Sequence, residues 1–262
     1  MASDTESPRA WRTVLEHVER RLLDGDLLPG ERLPGERALA ADLGVGRSSV
    51  REAVRVLEAM GLIRTASGSG PNAGAIIIAT PGGAMSALMR LQVAAHGFPV
   101  ADIVRTRLIL ETAVAGELAE RAGATATGLG SGSDLDTARA HDTAPDLTSA
   151  ERLLDAMDSP DLEPAEFLAL DAAFHLALAE ASGNQVVTAT MAGLRSGIEG
   201  YALDGLARID DWHATSARLR SEHRGVVEAI RAADASAART RIHDHISGYY
   251  AETFPETEPV TA

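Results

Sequence analysis

The sequence predicts a mainly α protein: a small N-terminal domain followed by an all-α antiparallel helical bundle. Three observations predict it. The chain has 262 residues, more than one domain of roughly 100–200 residues. Its charge is unevenly divided: residues 1–64 set 10 arginines against 11 acidic residues, while the rest carries nearly all of the net charge of -14. Beyond residue 84, apolar residues recur at helical spacing almost throughout.

Composition removes several function classes. The chain has no cysteine, which excludes a disulfide framework, a zinc ribbon and a thiol nucleophile, and fits a reducing compartment. The opening MASDTESPRAW is polar and lacks the apolar core of a secretory signal. No stretch approaches the ~20 apolar residues needed to span a bilayer. The expectation is a soluble, cytoplasmic protein with no membrane partner. Aromatic residues are 3% of the chain, so the core must be aliphatic. All 24 basic residues are arginine, the side chain best suited to bidentate recognition of phosphate and guanine.

The expected N-terminal domain covers 9–79. Val14, Val18 and Leu22 share one helical face, and DGDLLPGERLPGE interrupts it. A short helix is expected at Glu36–Leu43, a tight turn at Gly44-Val45-Gly46, and a second helix from Arg47 to a C-terminal stop at Gly61. On that second helix Val50, Val54 and Leu57 form one stripe, and Arg47, Ser48, Arg51 and Arg55 lie on the other side. Leu62–Arg64 and Ala75–Ile78 can pair as strands around a Gly-rich tip. Helix, helix, turn, helix, hairpin is the order of a winged helix-turn-helix. Its second paired helix buries an aliphatic stripe and offers its Arg/Ser face to a major groove, where arginine reads guanine.

The bundle is expected over 100–254, after a linker and first bundle helix at 80–99 and before a tail at 255–262. Helices are expected at about Val100–Arg121, Ala150–Met157, Pro164–Ser182, Gln185–Ile209, Asp211–Ala233 and Ala235–Phe254, with Gly183-Asn184 as a stop-and-cap pair. Residues 123–149 read as a flexible connection. Polar residues interrupt the apolar rows. Asp171 and His175 sit one turn apart between Leu168 and Leu178, His223 lies among Leu219, Val226 and Val227, and His245 lies between Ile242 and Tyr249. A buried carboxylate or imidazole needs a partner, and these four groups can satisfy one another around a cation. Each also has a plainer reading: a core histidine bonded to a carbonyl, or a helix-surface Asp/His pair.

Two stretches carry a family resemblance. LLPGERLPGERALAADLGVGRSSVREAVRVLEAMGLI resembles the DNA-binding domain of GntR-family transcription regulators. The resemblance implies DNA contacts at Arg37, Arg47, Ser48, Ser49, Arg51 and the wing Gly68. Here Gly35 and Gly46 stand where hydroxyl residues are common, and the tip SGSGPNAG carries no basic or aromatic residue. LDAAFHLALAEASGNQVV, SEHRGVVEAIRAAD and IHDHI resemble the FCD effector domain of the FadR branch. That resemblance implies a divalent metal held by Asp171, His175, His223 and His245, and an effector contact at Arg107, for which an i,i+4 bridge to Glu111 is an equal alternative. Three imidazoles and a carboxylate suit zinc, with nickel or manganese next. The function implied is a ligand-responsive repressor that binds a palindromic DNA operator as a homodimer and takes a small organic acid at the metal. A metal-dependent enzyme acting on such an acid, and a DNA-binding protein with a purely structural metal, are the alternatives. Against the enzyme, Glu222 should point about 100° from His223 and leaves no evident general base.

Overall fold

The computed structural model describes residues 10–66, 74–78, 82–126, 143–159 and 162–254. The chain divides into two compact units, Met1–Met85 and Ser86–Ala262. The wing residue Gly68 lies outside the described residues.

The first unit contains α1 (Ala10–Leu23), α2 (Glu36–Leu43), α3 (Arg47–Ala59), β1 (Ile63–Ala66) and β2 (Gly74–Ile77). Its core forms where three apolar stripes meet. Val14 packs with Leu39, Ala40, Val50 and Ala53, and Val18 packs with Leu27, Leu33, Leu57, Ile63 and Ile77. Burying each valine, leucine or isoleucine among them contributes roughly 1.5–3 kcal/mol. Gly44 ends α2 at φ 64 and Gly61 follows α3 at φ 68, left-handed conformations that fit the glycine stops read from the sequence. Neither Gly35 nor Gly46 supplies a side-chain cap to the helix it precedes. The strands pair antiparallel with Ile63 opposite Ile77, each a residue displaced from the sequence expectation. The result is a winged helix-turn-helix with a small hairpin.

The second unit is all helical: α4 (Gly82–Ala94, crossing from the first unit), α5 (Val100–Ala126), α6 (Thr148–Met157), α7 (Pro164–Ser182), α8 (Gln185–Gly205), a 3-10 turn (Leu206–Arg208), α9 (Trp212–Arg231) and α10 (Ala235–Thr253). α5 runs past the expected Arg121 because Ala122–Ala126 contains only one glycine and otherwise alanine and threonine, so nothing there forces a stop. α8 ends before Ile209, whose extended backbone leads to the Asp211 cap of α9. Close approach of α4 to α8 depends on two glycines: a Cβ at Gly193 would come within 2.7 Å of Met89, and one at Gly197 within 2.7 Å of Val93. α7 starts with a Glu163/Glu166 capping box and stops at Gly183. Arg121 donates to the carbonyls of Ala181 and Ser182 at 3.2 and 3.0 Å, which satisfies the end of α7. Asn184 caps α8 by accepting from Val186 and Val187. Among the described residues no helix is long and apolar enough to cross a membrane.

Candidate metal centre and DNA-reading helix

α7 is apolar on nearly every face, and its row Leu168, Asp171, His175, Leu178 is buried throughout, at 2, 7, 1 and 3% exposure. His223 on α9 and His245 on α10 are buried at 0 and 3%. One ligand atom from each of Asp171, His175, His223 and His245 lies within 4.8 Å of all the others. The four residues singled out in the sequence therefore converge.

The orientation of the rings decides what the cluster can hold. His175 Nδ1 is bonded to Glu111, and His245 Nδ1 is bonded to Glu222 Oε2 at 2.8 Å. Both carboxylates require Nδ1–H as the donor, so both Nε2 atoms present lone pairs inward. Yet His175 Nε2 and His245 Nε2 are 3.2 Å apart, and His223 Nε2 and His245 Nε2 are 3.1 Å apart. Facing lone pairs at that distance repel unless a proton or cation lies between them. Two donors about 2.1 Å from a first-row cation and roughly 90–110° apart are separated by about 3.0–3.4 Å. Asp171 Oδ1 lies 3.0 Å from His223 Nε2 but has no aligned hydrogen-bond partner, as expected of two ligands aimed at a common point. The donor set fits a divalent cation.

Electrostatics keep Asp171, His223 and His245 in the binding-competent charge state. Burial opposes ionisation of Asp171, but His223 and then His175 and His245 outweigh it and hold the carboxyl far below the usual range. Burial, followed by the neighbouring His223, pushes His245 down to about 4. Burial also lowers His223, with Asp171 opposing. His223 and His245 are therefore neutral at neutral pH, as metal ligation requires.

Arg107 lies on α5 at 4% exposure. Its Nε donates to Glu111 Oε1 at 2.7 Å, and Nη1 donates to Tyr201 Oη. The intrahelical bridge read as an alternative therefore exists. It uses only part of the guanidinium: Nη2 is buried with no hydrogen-bond partner among the described residues. Arg107 shares a cavity with Asp171, His245, Tyr201 and Tyr249. Space for the centre of a water-sized sphere there is about 10 Å³, enough for one water. Glu111 is shared between Arg107 and His175, and burial's resistance to its charge is overcome first by Arg107 and then by His175, leaving it down at about 2.

Sequence reasoning missed three of these residues. Glu222 does point away from His223, but it holds His245 of the neighbouring helix and accepts from Arg218 at 2.7 Å. Glu111 was visible only as a partner of Arg107. Tyr201 carried no sequence signal. His243 is exposed beside Asp244, away from the cluster.

In the first unit Arg37, Arg47, Ser48 and Arg51 are exposed. Arg51 lies 3.7 Å from Glu36 of α2. Ser49 differs from the expectation. It is 4% exposed, because it sits one turn before the buried Ala53 on the core side of α3.

Comparison with known proteins identifies both units. Residues 11–71 match the family described as bacterial regulatory proteins, gntR family, and residues 135–248 match the FCD domain. The chain is a GntR-family regulator with an FCD domain. It is similar to the HTH-type transcriptional regulator LutR of Bacillus subtilis, 28% identical over 87% of this chain and 97% of that protein. It is similar to the Glc operon transcriptional activator of Escherichia coli, 30% identical over 69% of this chain and 64% of that protein. A third relative is the HTH-type transcriptional repressor NanR of Cronobacter sakazakii, 27% identical over 91% and 83%. A solved Streptococcus agalactiae GntR shares the fold, with a TM-score of 0.51 and 24% identity over 91% of this chain and 98% of that one. These relatives are transcription regulators, so the enzymatic alternative is set aside.

Proposed function

We propose that this GntR/FCD regulator is a cytoplasmic, homodimeric repressor whose DNA grip responds to a small organic acid bound at a divalent metal. Arg37, Arg47, Ser48 and Arg51 are the proposed DNA contacts, with Gly68 as the wing contact and Ser49 left out for its burial. Asp171, His175, His223 and His245 are the proposed ligands. Zinc is the proposed ion, with nickel and manganese next, because three imidazoles and one carboxylate suit borderline cations. A cation with four protein ligands keeps coordination positions for water or an acid. Arg107 is the proposed partner for the acid's carboxylate. The observation carrying this reading is the convergence of three Nε2 atoms, those of His223 and His175 lying 3.1 and 3.2 Å from that of His245, supported by the buried Arg107 Nη2 that no acceptor among the described residues satisfies.

The cation would supply a fixed positive charge, and the chain's own residues do the rest. Glu111 and Glu222 fix ring orientation, and Arg107 offers one unoccupied donor edge. The room beside Arg107 fits only a water, so an acid requires the surrounding helices to move apart. A ligand that favours the opened arrangement shifts the population toward it and alters how two reading heads engage a palindrome. The small cavity favours one competing reading, an ion that only fastens three helices together.

The test is metal removal and restoration, with and without a panel of small hydroxy, oxo and sugar acids, followed by DNA binding and melting. An acid that raises the melting temperature only in metal-loaded protein, and that lowers DNA affinity, supports the proposal. Metal-dependent stability with no response to any acid supports the fastening ion.

A further inference from the structure

The N-terminal sheet carries guanidinium charge that the wing tip lacks. Residues 30–33 run beside β2, joined to it by an isolated bridge and backbone hydrogen bonds. Gly30 N donates to Ile77 O, Ile77 N donates to Glu31 O, and Leu33 N donates to Ala75 O, each at 2.9 Å. Arg32 bridges to Ile76, and on the other side of β2 Arg64 pairs with the same Ile76. Arg32, Ile76 and Arg64 thus form one row across the two strands and the bridged segment beside them, and directly opposed residues share a face. Their sequence neighbours Leu33, Ile63 and Ile77 point the other way into the core, at 7, 1 and 4% exposure. Both arginines are exposed. The Arg32 guanidinium runs along β2 toward its start: Nη1 lies 4.0 Å from where a Cβ on Gly74 would be. Two carboxylates of this region are engaged locally. Glu31 accepts from Leu28 N at 2.8 Å, and Glu58 accepts from Thr65 N at 2.9 Å.

We propose that Arg32 and Arg64 form a phosphate-gripping pair on the DNA backbone beside the groove that α3 enters. The inference rests on the DNA-binding reading and adds a contact surface to it. Position in the fold carries it. The hairpin follows the reading helix directly in the chain, and among the described residues this row puts two arginines and no acid on its outward face. The grip is sequence-independent, because a guanidinium on phosphate carries no base information. Charge for the wing therefore comes from its strands and the segment before α2, in place of the uncharged tip.

The test uses the full-length protein and a fluorescent mixed-sequence duplex of about 40 bp, titrated at several NaCl concentrations between about 0.05 and 0.2 M. Each phosphate contact contributes about 0.9 to the slope of log affinity against log salt. Arg32→Gln and Arg64→Gln should each reduce that slope by about 0.9, and the double variant by about twice that, with unchanged melting. Arg32→Lys and Arg64→Lys should keep the slope, since they keep the charge. A wild-type slope and affinity in the double glutamine variant, while Arg47→Ala weakens binding, overturns this inference alone. Equal slope loss in the lysine variants points to packing and also overturns it. Wild-type protein that binds no duplex overturns the DNA-binding reading and this inference together.

Discussion

Replacing Glu222 should weaken metal binding while leaving the fold intact. Its Oε2 accepts from His245 Nδ1 at 2.8 Å, and its side chain is 29% exposed. A hydrogen bond to a charged group contributes about 1.5–3 kcal/mol, and partial exposure favours the lower end. Loss of such an outer partner lowers metal affinity by about 10–100-fold. Glu222→Gln can still accept from Nδ1–H and loses only the charge, so about tenfold is expected. Glu222→Ala frees the imidazole to rotate and should approach a hundredfold. Glu111 is the poorer choice for this experiment. Its removal would leave the buried Arg107 without its carboxylate, and breaking a buried pair costs about 3–5 kcal/mol of stability. The assay is a chelator competition on purified protein, read by elemental analysis, with thermal melts of the metal-free forms alongside. Wild-type affinity in Glu222→Ala would refute the argument that His245 binds through a carboxylate-fixed Nε2.

Arg47→Ala and Arg51→Ala should each weaken operator binding at least tenfold at about 0.15 M salt, with helical circular dichroism unchanged; retained affinity would remove α3 as the reading helix. Arg107→Met should abolish the acid-dependent rise in melting temperature, read against the same variant's own acid-free melt because it also breaks the buried pair with Glu111; a persisting response would place the acid elsewhere. Metal-free protein should lose stability as pH falls from about 6.5 toward 4. His245 is held down at about 4 in the folded state by burial and then by His223, whereas in the unfolded chain it titrates near 6.5. The unfolded state therefore takes up the proton first, and the loss, at most about 3 kcal/mol from this group, is complete below pH 4 and absent above 6.5. Melting curves of chelated protein across that window check the sign, and a rise in stability on acidification would contradict it.

What the sequence disclosed was whatever a single helix or hairpin encodes. The stripe Val50, Leu57 and the opposite arginines placed α3, and Leu168–Asp171–His175–Leu178 placed one wall of the cluster. Both depend only on 3.6-residue periodicity. The convergence of His223 and His245 on that wall needed the family resemblance, because no local pattern relates three helices. Glu222 shows the limit plainly: its direction relative to His223 was readable, but the ring it meets belongs to α10. Tyr201 reaches Arg107 across 94 residues of sequence, and nothing near either residue signals that contact. The burial of Ser49 was missed for a smaller reason. Adjacent residues on a helix differ by about 100°, and in the first turn of α3 that step separates exposed Ser48 from a serine packed beside Ala53. Arg32 was hidden because it pairs with β2 through a single isolated bridge, too short to leave a readable alternation.

Anomalous diffraction from crystals of the metal-loaded protein tests the central claim most directly. The account predicts one strong peak per chain, within bonding distance of the Nε2 atoms of His175, His223 and His245 and of the Asp171 carboxylate, and its loss in His223→Ala. Metal-replete protein with no peak among those four side chains would contradict it.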